Sequence, residues 1–252
     1  MRIKESLTII TGGGSGLGAA CAEMVVGEGG QAVIFDLDAD RGTTTADALG
    51  DGCQFAHMDV TDESSVTDGL TIAKGRGAVR ALINCAGVAS AAKTLGRDGA
   101  HTLELFRKVQ DINLTGSFNV ARLVAAAMAD NVPDADGERG VIVNTASVAA
   151  FDGQKGQAAY AASKGGIAAL SLPMARDLAS VGVRVNAVAP GLFLTPLLQG
   201  LPEAAQAALA DQPLFPKRLG HPSEFAHVVK FILENPYMNG EVIRLDAGIR
   251  LP

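Results

Sequence analysis

The chain has 252 residues, a formal net charge of −6 and a hydrophobic content of 48%. This length suits a single α/β core, and the negative balance disfavours nucleic acid or an anionic membrane surface as a partner. No apolar run reaches the roughly 18 residues that span a bilayer. The first predicted strand begins at residue 7, which leaves no room for a signal or transit peptide. We therefore expect a cytoplasmic protein without membrane contact.

The cysteines and histidines show no metal-ligand spacing, so we expect no metal site. Cys21, Cys53 and Cys85 lie in predicted helices or strands and are odd in number. Buried free thiols in a reducing cytosol are the interpretation that this pattern favours.

The first predicted strand, residues 7–11, runs into a glycine-rich turn and then into a helical pattern from Ala19. Glycines at such a turn let a pyrophosphate approach the helix N-terminus, whose free N–H groups and dipole favour an anion. A flexible loop is the alternative, but the position between strand and helix favours a dinucleotide site. The residues expected at the pyrophosphate are Gly12, Ser15, Gly16, Leu17 and Gly18.

The second predicted strand, residues 31–36, ends in the carboxylate of Asp36. A carboxylate there accepts hydrogen bonds from both ribose hydroxyls of NAD and repels the 2′-phosphate of NADP. Leu37 and Ser15 offer no cation for that extra phosphate, and the nearest candidate, Arg41, is expected to be solvated. A simple turn residue at the strand end is the other interpretation of Asp36. NAD is the predicted cofactor.

Strand and helix patterns alternate along the rest of the chain without a linker or repeat. The longest helical patterns are at residues 103–128 and 158–180. The alternation predicts a Rossmann-type α/β fold: a doubly wound, seven-stranded parallel sheet with helices on both faces, in a single domain over residues 1–252. The site is expected at the carboxyl ends of the strands, where the strand order reverses. The remaining strands are predicted at residues 53–57, 80–84, 140–146, 182–188 and 241–245.

Ser147, Tyr160 and Lys164 form the catalytic pattern of the chain. Tyr160 and Lys164 are four residues apart on a predicted helix and therefore share one of its faces. We expect the ammonium, with a second positive charge, to lower the pKa of the phenol from its usual value of about 10, so that Tyr160 acts as a base. Ser147 would hydrogen-bond the oxygen that Tyr160 deprotonates. Taken singly, the three residues fit a packing tyrosine, a surface lysine and a capping serine. With the dinucleotide turn upstream, they predict an alcohol dehydrogenase that uses no metal.

Taken together, these residues resemble the short-chain dehydrogenase/reductase family over essentially the whole chain. Each piece is common alone, but their order and spacing are typical of that family. Many members have the motif Asn-Asn-Ala-Gly, and in this chain its second asparagine is replaced by Cys85. The matching pieces are Thr11-Gly12-x-x-x-Gly16-x-Gly18, Asp59-Val60, Asn84-Cys85-Ala86-Gly87, Asn113, Ser147, Tyr160-x-x-x-Lys164 and Pro190-Gly191.

The resemblance implies a role for each of these positions. Asp59 would contact the adenine amino group, and Thr195 the nicotinamide carboxamide. Lys164 would hold the nicotinamide ribose, and Asn113 would anchor a water that links Lys164 to solvent as a proton relay. Further contacts along the cofactor would come from Val60, Asn84, Ala86, Gly87, Tyr160, Pro190 and Gly191.

Within the family, residues 144–154, 190–198 and 239–246 resemble the type 2 3-hydroxyacyl-CoA dehydrogenases. That resemblance implies NAD-dependent interconversion of short-chain or 2-methyl-branched 3-hydroxyacyl-CoA and 3-oxoacyl-CoA, as in fatty acid metabolism and isoleucine degradation, by a homotetramer. Insertions at residues 93–102 and 131–139 fit the same subgroup. In the first insertion, Lys93, Arg97 and His101 are candidates for contacts with the CoA phosphates. The other interpretation is that the insertion presents a solvated face.

The substrate region is expected around an apolar segment at residues 191–216, which is bounded by prolines. It is typical of a lid that covers an acyl chain and excludes water. An ordinary loop and helix packed on the sheet edge is the alternative. Gln154 lies between Ser147 and Tyr160 in the sequence, and we expect these three residues to bind the substrate.

Two other functions fit parts of the sequence. One is a 3-oxoacyl-carrier-protein reductase, or a steroid or other secondary alcohol dehydrogenase of the same family. Most carrier-protein reductases prefer NADPH, so Asp36 counts against that reductase. The other is a non-catalytic dinucleotide-binding scaffold, which the catalytic pattern disfavours because a scaffold needs no phenolate base.

Overall fold

The computed structural model describes residues 1–4, 6–97, 99–200 and 202–251, and a seven-stranded parallel sheet forms its centre. Each predicted strand is present within two residues of its expected bounds. A separate antiparallel hairpin, β5 and β6, lies in the insertion after the fourth strand. Numbered along the chain, the strands are β1 (Leu7–Thr11), β2 (Gln31–Asp36), β3 (Cys53–His57), β4 (Val79–Asn84), β5 (Leu95–Gly96), β6 (Gly99–Ala100), β7 (Gly140–Thr145), β8 (Val183–Pro190) and β9 (Val242–Leu245).

Helices follow most of the strands. The predicted helix at 158–180 is confirmed, but the one at 103–128 is interrupted by a π-helical stretch, Asp111–Gly116. In the described part of the chain, no helix has the length and apolar composition to cross a membrane. The helices are α1 (Gly16–Gly27), α2 (Ala39–Leu49), α3 (Glu63–Lys74), α4 (Leu103–Gln110), α5 (Ser117–Ala129), α6 (Ala158–Leu178), α7 (Pro196–Gln199), α8 (Glu203–Ala210) and α9 (Pro222–Glu234).

The strand order of the main sheet is β3-β2-β1-β4-β7-β8-β9, and all its neighbours are parallel. The chain moves outward in one direction from β1 to β3 and in the other from β4 to β9. The order therefore reverses between β1 and β4, and the connections that leave these two strands separate at their carboxyl ends. A crevice at this reversal is the expected ligand site of an open α/β sheet.

The core lies on both faces of the sheet because successive strand residues point to opposite sides. Ile10 packs in one layer with Val25 of α1 and Val229 of α9. Its neighbour Ile9 packs in the other layer with Val124 of α5. Burying an aliphatic side chain of this size contributes about 1.5–3 kcal/mol, so these layers hold the strand ends in fixed positions.

Candidate active site

A cavity of about 1090 Å³ lies at the carboxyl ends of β1, β2 and β4. This is the crevice at the reversal of strand order, and most of the residues predicted to bind the cofactor line it. They are Gly12, Ser15, Gly16, Leu17, Gly18, Asp36, Asp59, Val60, Ala86, Gly87 and Thr195.

The glycine-rich turn leaves no room for a side chain at positions 12 and 18. Gly12 has φ +64° and Gly16 has φ +54°, a region that favours glycine. A Cβ on Gly12 would lie 2.8 Å from the amide nitrogen of Ala86, and one on Gly18 would lie 2.2 Å from the carbonyl of Gly12. Helix α1 begins at Gly16, and its first N–H groups have no partner within the helix. The turn therefore fits a pyrophosphate at a helix N-terminus.

Asp36 is both a turn residue and a wall of the cavity. Its Oδ2 accepts a hydrogen bond from the Gly14 amide at 3.0 Å, and its Oδ1 accepts one from the Asp38 amide at 3.0 Å. Each carboxylate oxygen keeps further acceptor capacity, so these bonds fix the carboxylate and still allow it to bind ribose hydroxyls. Arg41 is 58% exposed, as its predicted solvation requires, and it pairs with Asp38 at 2.6 Å.

Five predicted cofactor residues lie outside the cavity lining: Tyr160 and Lys164, which are described below, and Asn84, Pro190 and Gly191. Asn84 is buried, and its amide donates to the Ser117 carbonyl at 3.1 Å and to Asn144 Oδ1 at 2.9 Å. Pro190 ends β8, and the amide of Gly191 donates to the Leu245 carbonyl at 2.9 Å. These residues connect neighbouring elements, and their contact with a cofactor stays a prediction.

Ser147, Tyr160 and Lys164 meet beside the cavity. Ser147 follows β7, and its Oγ accepts a hydrogen bond from the Ala149 amide at 3.1 Å. The Ser147 hydroxyl also interacts with the phenol of Tyr160, which lies in the first turn of α6. Lys164 Nζ donates to the Thr145 carbonyl at 2.6 Å and lies 5.9 Å from the centre of the Tyr160 ring.

The expected pKa of Tyr160 was wrong in direction. Burial raises the pKa of the phenol, and the interaction with the Ser147 hydroxyl opposes that rise. Burial also lowers the pKa of Lys164 to about 8, against the attraction of Cys85. Desolvation disfavours both charged forms, and an ammonium 5.9 Å from the ring centre does not compensate for it. The phenolate therefore needs more positive charge than Lys164 supplies.

Asn113 lies in the π-helical stretch and is fully buried. Its Nδ2 donates to the Val88 carbonyl at 2.9 Å and to Ser163 Oγ at 3.0 Å, while its Oδ1 accepts from the Val88 amide at 2.8 Å. The side chain thus joins the loop after β4 to α6. π-Helical turns often occur at functional sites because they shift main-chain groups out of the regular helix. The water relay stays a prediction, and it would have to use the main chain of Asn113.

A second cavity, of about 540 Å³, lies at the N-terminus of α6. It brings Lys93 of the first insertion together with Gln154 and with Lys155, which the sequence argument did not select. A hydrogen bond of 2.8 Å from the Ala92 amide to the Gly156 carbonyl holds the two loops together. Arg97 and His101, the other two phosphate candidates, are not among the residues that line this cavity.

The proposed lid at 191–216 begins in contact with the cofactor cavity and ends at the surface. Thr195 and Pro196 line the cavity, next to Gly16. Phe193 packs edge-on against Phe225 of α9, with ring centres 6.4 Å apart. Helices α7 and α8 follow, whereas Leu201 lies outside the described residues. The segment thus contains the helix that the alternative interpretation expected, and its closure over a substrate stays a prediction.

Sequence reasoning missed several residues of the cofactor cavity. Four charged residues come from α4 and the π-helical stretch, which no motif marks and which enter the site through the packing of α4 against α6. Among the missed residues, Thr61 and Cys85 adjoin predicted positions, so their place in the chain was the available signal. The charged residues are Glu104, Arg107, Lys108 and Asp111.

Comparisons with known proteins agree with this geometry. A family model described as short chain dehydrogenase matches residues 6–206. The chain is 56% identical to the human 3-hydroxyacyl-CoA dehydrogenase type-2, over 99% of this chain and 97% of the human one. It is 50% identical to the Drosophila melanogaster protein of the same name, over 99% of each chain. The crystal structure of 3-hydroxyacyl-CoA dehydrogenase type-2 from Mycobacterium avium superposes with a TM-score of 0.95, at 43% identity over 98% of this chain and 97% of that one.

These matches settle two of the sequence predictions. The family resemblance is confirmed, and the chain is an enzyme rather than a non-catalytic scaffold. Its cofactor is a nicotinamide dinucleotide, which the glycine turn and the cavity fit. The chain belongs to the short-chain dehydrogenase family of oxidoreductases.

Proposed function

We propose that this oxidoreductase interconverts 3-hydroxyacyl-CoA and 3-oxoacyl-CoA with NAD, acting on short-chain or 2-methyl-branched acyl groups. The observation that carries the reaction is the meeting of Ser147, Tyr160 and Lys164 beside the dinucleotide cavity. The names of the human and fly relatives support the acyl-CoA substrate.

The preference for NAD over NADP follows from Asp36. Its carboxylate is held by two main-chain amides and lines the cavity on the side of β2. A negative charge there repels a 2′-phosphate and accepts ribose hydroxyls. Arg41 is the nearest cation considered for such a phosphate, and its pairing with Asp38 reduces its availability.

In the proposed mechanism, the 3-hydroxyl of the substrate lies between Ser147 and Tyr160. Bound oxidised nicotinamide supplies the hydride acceptor and an additional positive charge. Tyr160 accepts the hydroxyl proton while Ser147 orients the oxygen, so the C–O bond becomes a carbonyl as C3 loses hydride. Lys164 would hold the nicotinamide ribose of the bound cofactor, and the proton would leave through Lys164 and a water at Asn113. The protein thus contributes orientation and electrostatics to chemistry that belongs to the cofactor.

The second cavity supports binding of the CoA part of the substrate. Lys93 and Lys155 bring two cations to a space beside the start of α6, the helix that carries Tyr160. Ammonium groups bind phosphates as point charges, which suits the phosphates of CoA. Gln154 lines the same cavity, and we propose that it contacts the thioester end of the substrate.

Reduction of acetoacetyl-CoA, followed by the absorbance of NADH and in parallel of NADPH, tests the proposal. We expect rapid turnover with NADH and little with NADPH. The Tyr160→Phe variant should still bind NADH, measured by its fluorescence, but should lose turnover because it has no proton acceptor. If that variant keeps more than about a tenth of the wild-type rate, Tyr160 is not the base. Such a rate corresponds to a loss of less than about 1.4 kcal/mol in transition-state stabilisation.

Other outcomes of the same assay point to the alternatives. A preference for NADPH would favour a carrier-protein reductase and would show that Asp36 does not select the cofactor. Absence of turnover with both cofactors, from protein that binds NADH, would contradict the acyl-CoA substrate and direct the search to steroids and other secondary alcohols.

We further propose a homotetramer in a reducing compartment, the cytoplasm. Strand β9 is an edge strand whose four side chains are only partly buried, and an edge of this kind pairs readily with another copy. On α5 and α9, Phe118 and Phe231 are exposed, as expected for the long helices of an oligomer. The three free cysteines fit a reducing environment. Analytical ultracentrifugation would test the tetramer.

A further inference from the structure

Two thiols lie side by side between α1 and the carboxyl end of β4. Cys21 belongs to α1, the helix that the glycine turn opens, and is fully buried. Cys85 is the first residue after β4, and its side chain packs against the buried cluster that contains Cys21, whose thiol interacts with it. Both are free thiols. The proposed mechanism uses neither of them.

The surroundings polarise Cys85 and not Cys21. The Cys21 thiol, then the Thr145 hydroxyl at 3.5 Å and the ammonium of Lys164, stabilise a negative charge on Cys85 and lower its pKa. Burial raises the pKa of Cys21 well above its ordinary value, so Cys21 keeps the proton of the pair. A thiol in an electropositive setting with a second thiol beside it has the features of a reactive cysteine and its resolving partner.

Access to the two thiols also differs. Cys85 is partly exposed and lines the cofactor cavity, whereas Cys21 has no exposed surface. A small molecule that enters the cavity therefore meets Cys85 first. A bound dinucleotide occupies the same cavity and should shield Cys85 from it.

We propose that Cys85 is an oxidation site for small hydroperoxides, with Cys21 as the resolving thiol. The Cys85 thiolate, whose proton has passed to solvent, attacks one peroxide oxygen, so an S–O bond forms and the O–O bond breaks. The hydroxide or alkoxide that leaves takes a proton back from solvent and becomes water or an alcohol. The Cys21 sulfur then attacks the Cys85 sulfur, forming the S–S bond and breaking the S–O bond. The leaving hydroxide takes the Cys21 proton and becomes water. In sum, two thiols are oxidised to one disulfide and one peroxide is reduced.

The disulfide would act on the cofactor site through the main chain of residues 85 and 86. The amides of Cys85 and Ala86 both donate to Thr11 Oγ1 at 3.2 Å, and Gly12 packs against Ala86. Drawing the Cys85 sulfur toward α1 moves it away from Thr145 and Lys164 and strains this contact with the glycine turn. The oxidised enzyme should therefore lose most of its NADH binding and turnover, and a dithiol should restore both.

Peptide mapping of the wild-type enzyme without reductant tests the proposal directly. The protein is treated with hydrogen peroxide, with or without saturating NADH, and digested under non-reducing conditions. We expect a cross-linked peptide pair containing Cys21 and Cys85, formed in parallel with the loss of activity, reversed by dithiothreitol and strongly reduced in yield by NADH. Inactivation without this peptide pair would overturn the proposal, and an equal yield with NADH would show that the cavity is not the route to Cys85.

Variants separate the two thiols, each compared with its own untreated rate. Cys85→Ser should resist peroxide, whereas Cys21→Ala should form a sulfenic acid at Cys85 that dimedone traps and should become irreversibly inactive on longer exposure. Cys53→Ala is the matched control, because Cys53 lies at the start of β3 and burial raises the pKa of its thiol to about 11. Inactivation of Cys85→Ser at the wild-type rate would refute the assignment and point to oxidation elsewhere, such as at methionine.

Discussion

Two buried cations at opposite ends of the sheet have very different surroundings. Arg184, near the start of β8, is 8% exposed and pairs with Glu138 at 3.0 Å. Its guanidinium also donates to three main-chain carbonyls, at 2.8–3.0 Å. Lys164 of α6 is 5% exposed, and its ammonium donates to the Thr145 carbonyl at the carboxyl end of β7. Within the described residues, it has no carboxylate partner.

The difference separates a cation that supports the fold from one that we propose to serve the reaction. A buried charge without an opposite charge is costly, and proteins reduce the cost by pairing it or by shifting its pKa. Arg184 shows the first solution, while burial lowers the pKa of Lys164 to about 8, which is the second. We infer that stability alone would not favour Lys164, so its place beside Tyr160 reflects function.

The largest expected effect comes from replacing the unpaired cation. Lys164→Met keeps a similar length without the charge, and we expect turnover to fall by about 10²- to 10⁴-fold, the range typical of lost proton-transfer catalysis. The melting temperature should change little, because removing an unpaired buried charge offsets the loss of its hydrogen bond to Thr145. Steady-state kinetics and calorimetry measure the two quantities. A variant that unfolds at a much lower temperature would mean that Lys164 supports the fold as Arg184 does.

Breaking the paired cation should have the opposite profile. Glu138→Gln leaves Arg184 without its counter-charge and should lower the free energy of unfolding by about 3–5 kcal/mol. The rate per folded molecule should be unchanged, since Glu138 is at the far end of the sheet from the cavity. Urea unfolding provides the measurement. The control is Glu63→Gln, which breaks the exposed pair with Arg122 and should cost less than about 1 kcal/mol.

The pH dependence of stability tests the lowered pKa of Lys164. Between its folded pKa of about 8 and its ordinary value of 10.5, the unfolded chain binds this proton and the folded chain does not. Stability therefore rises with pH in that window, by up to about 3 kcal/mol from this group. As the pH increases above 8, the free energy of unfolding of the wild type should therefore increase relative to that of Lys164→Met. A constant difference between the two proteins would contradict the shift.

An exposed cation gives the smallest effect. Lys155→Ala should raise the KM for acetoacetyl-CoA by a few fold, about 1 kcal/mol or less, because an exposed charge pair is weak in water. The KM for acetoacetyl-pantetheine, which has no phosphate, should not change. Lys74→Ala on α3 is the control at an exposed lysine away from both cavities. Equal effects of Lys155→Ala on both substrates would refute phosphate binding.

The sheet, the glycine turn and the Tyr160–Lys164 pair could all be predicted from local patterns in the sequence. Apolar runs fix the strands, the backbone at positions 12 and 16 favours glycine, and a spacing of four places two side chains on one helix face. These features depend on residues close together in the chain, so local patterns are sufficient to recognise them.

The surroundings of that site depend on the tertiary structure. In the folded chain, α4 lines the cofactor cavity, Lys155 lies near Lys93, and Cys21 lies near Cys85. The spacing of these residues in the sequence indicates none of these contacts. The tertiary structure also reversed the expected pKa shift of Tyr160, since desolvation depends on everything packed around the phenol. Burial and long-range contacts are properties of the folded chain, and a motif specifies neither.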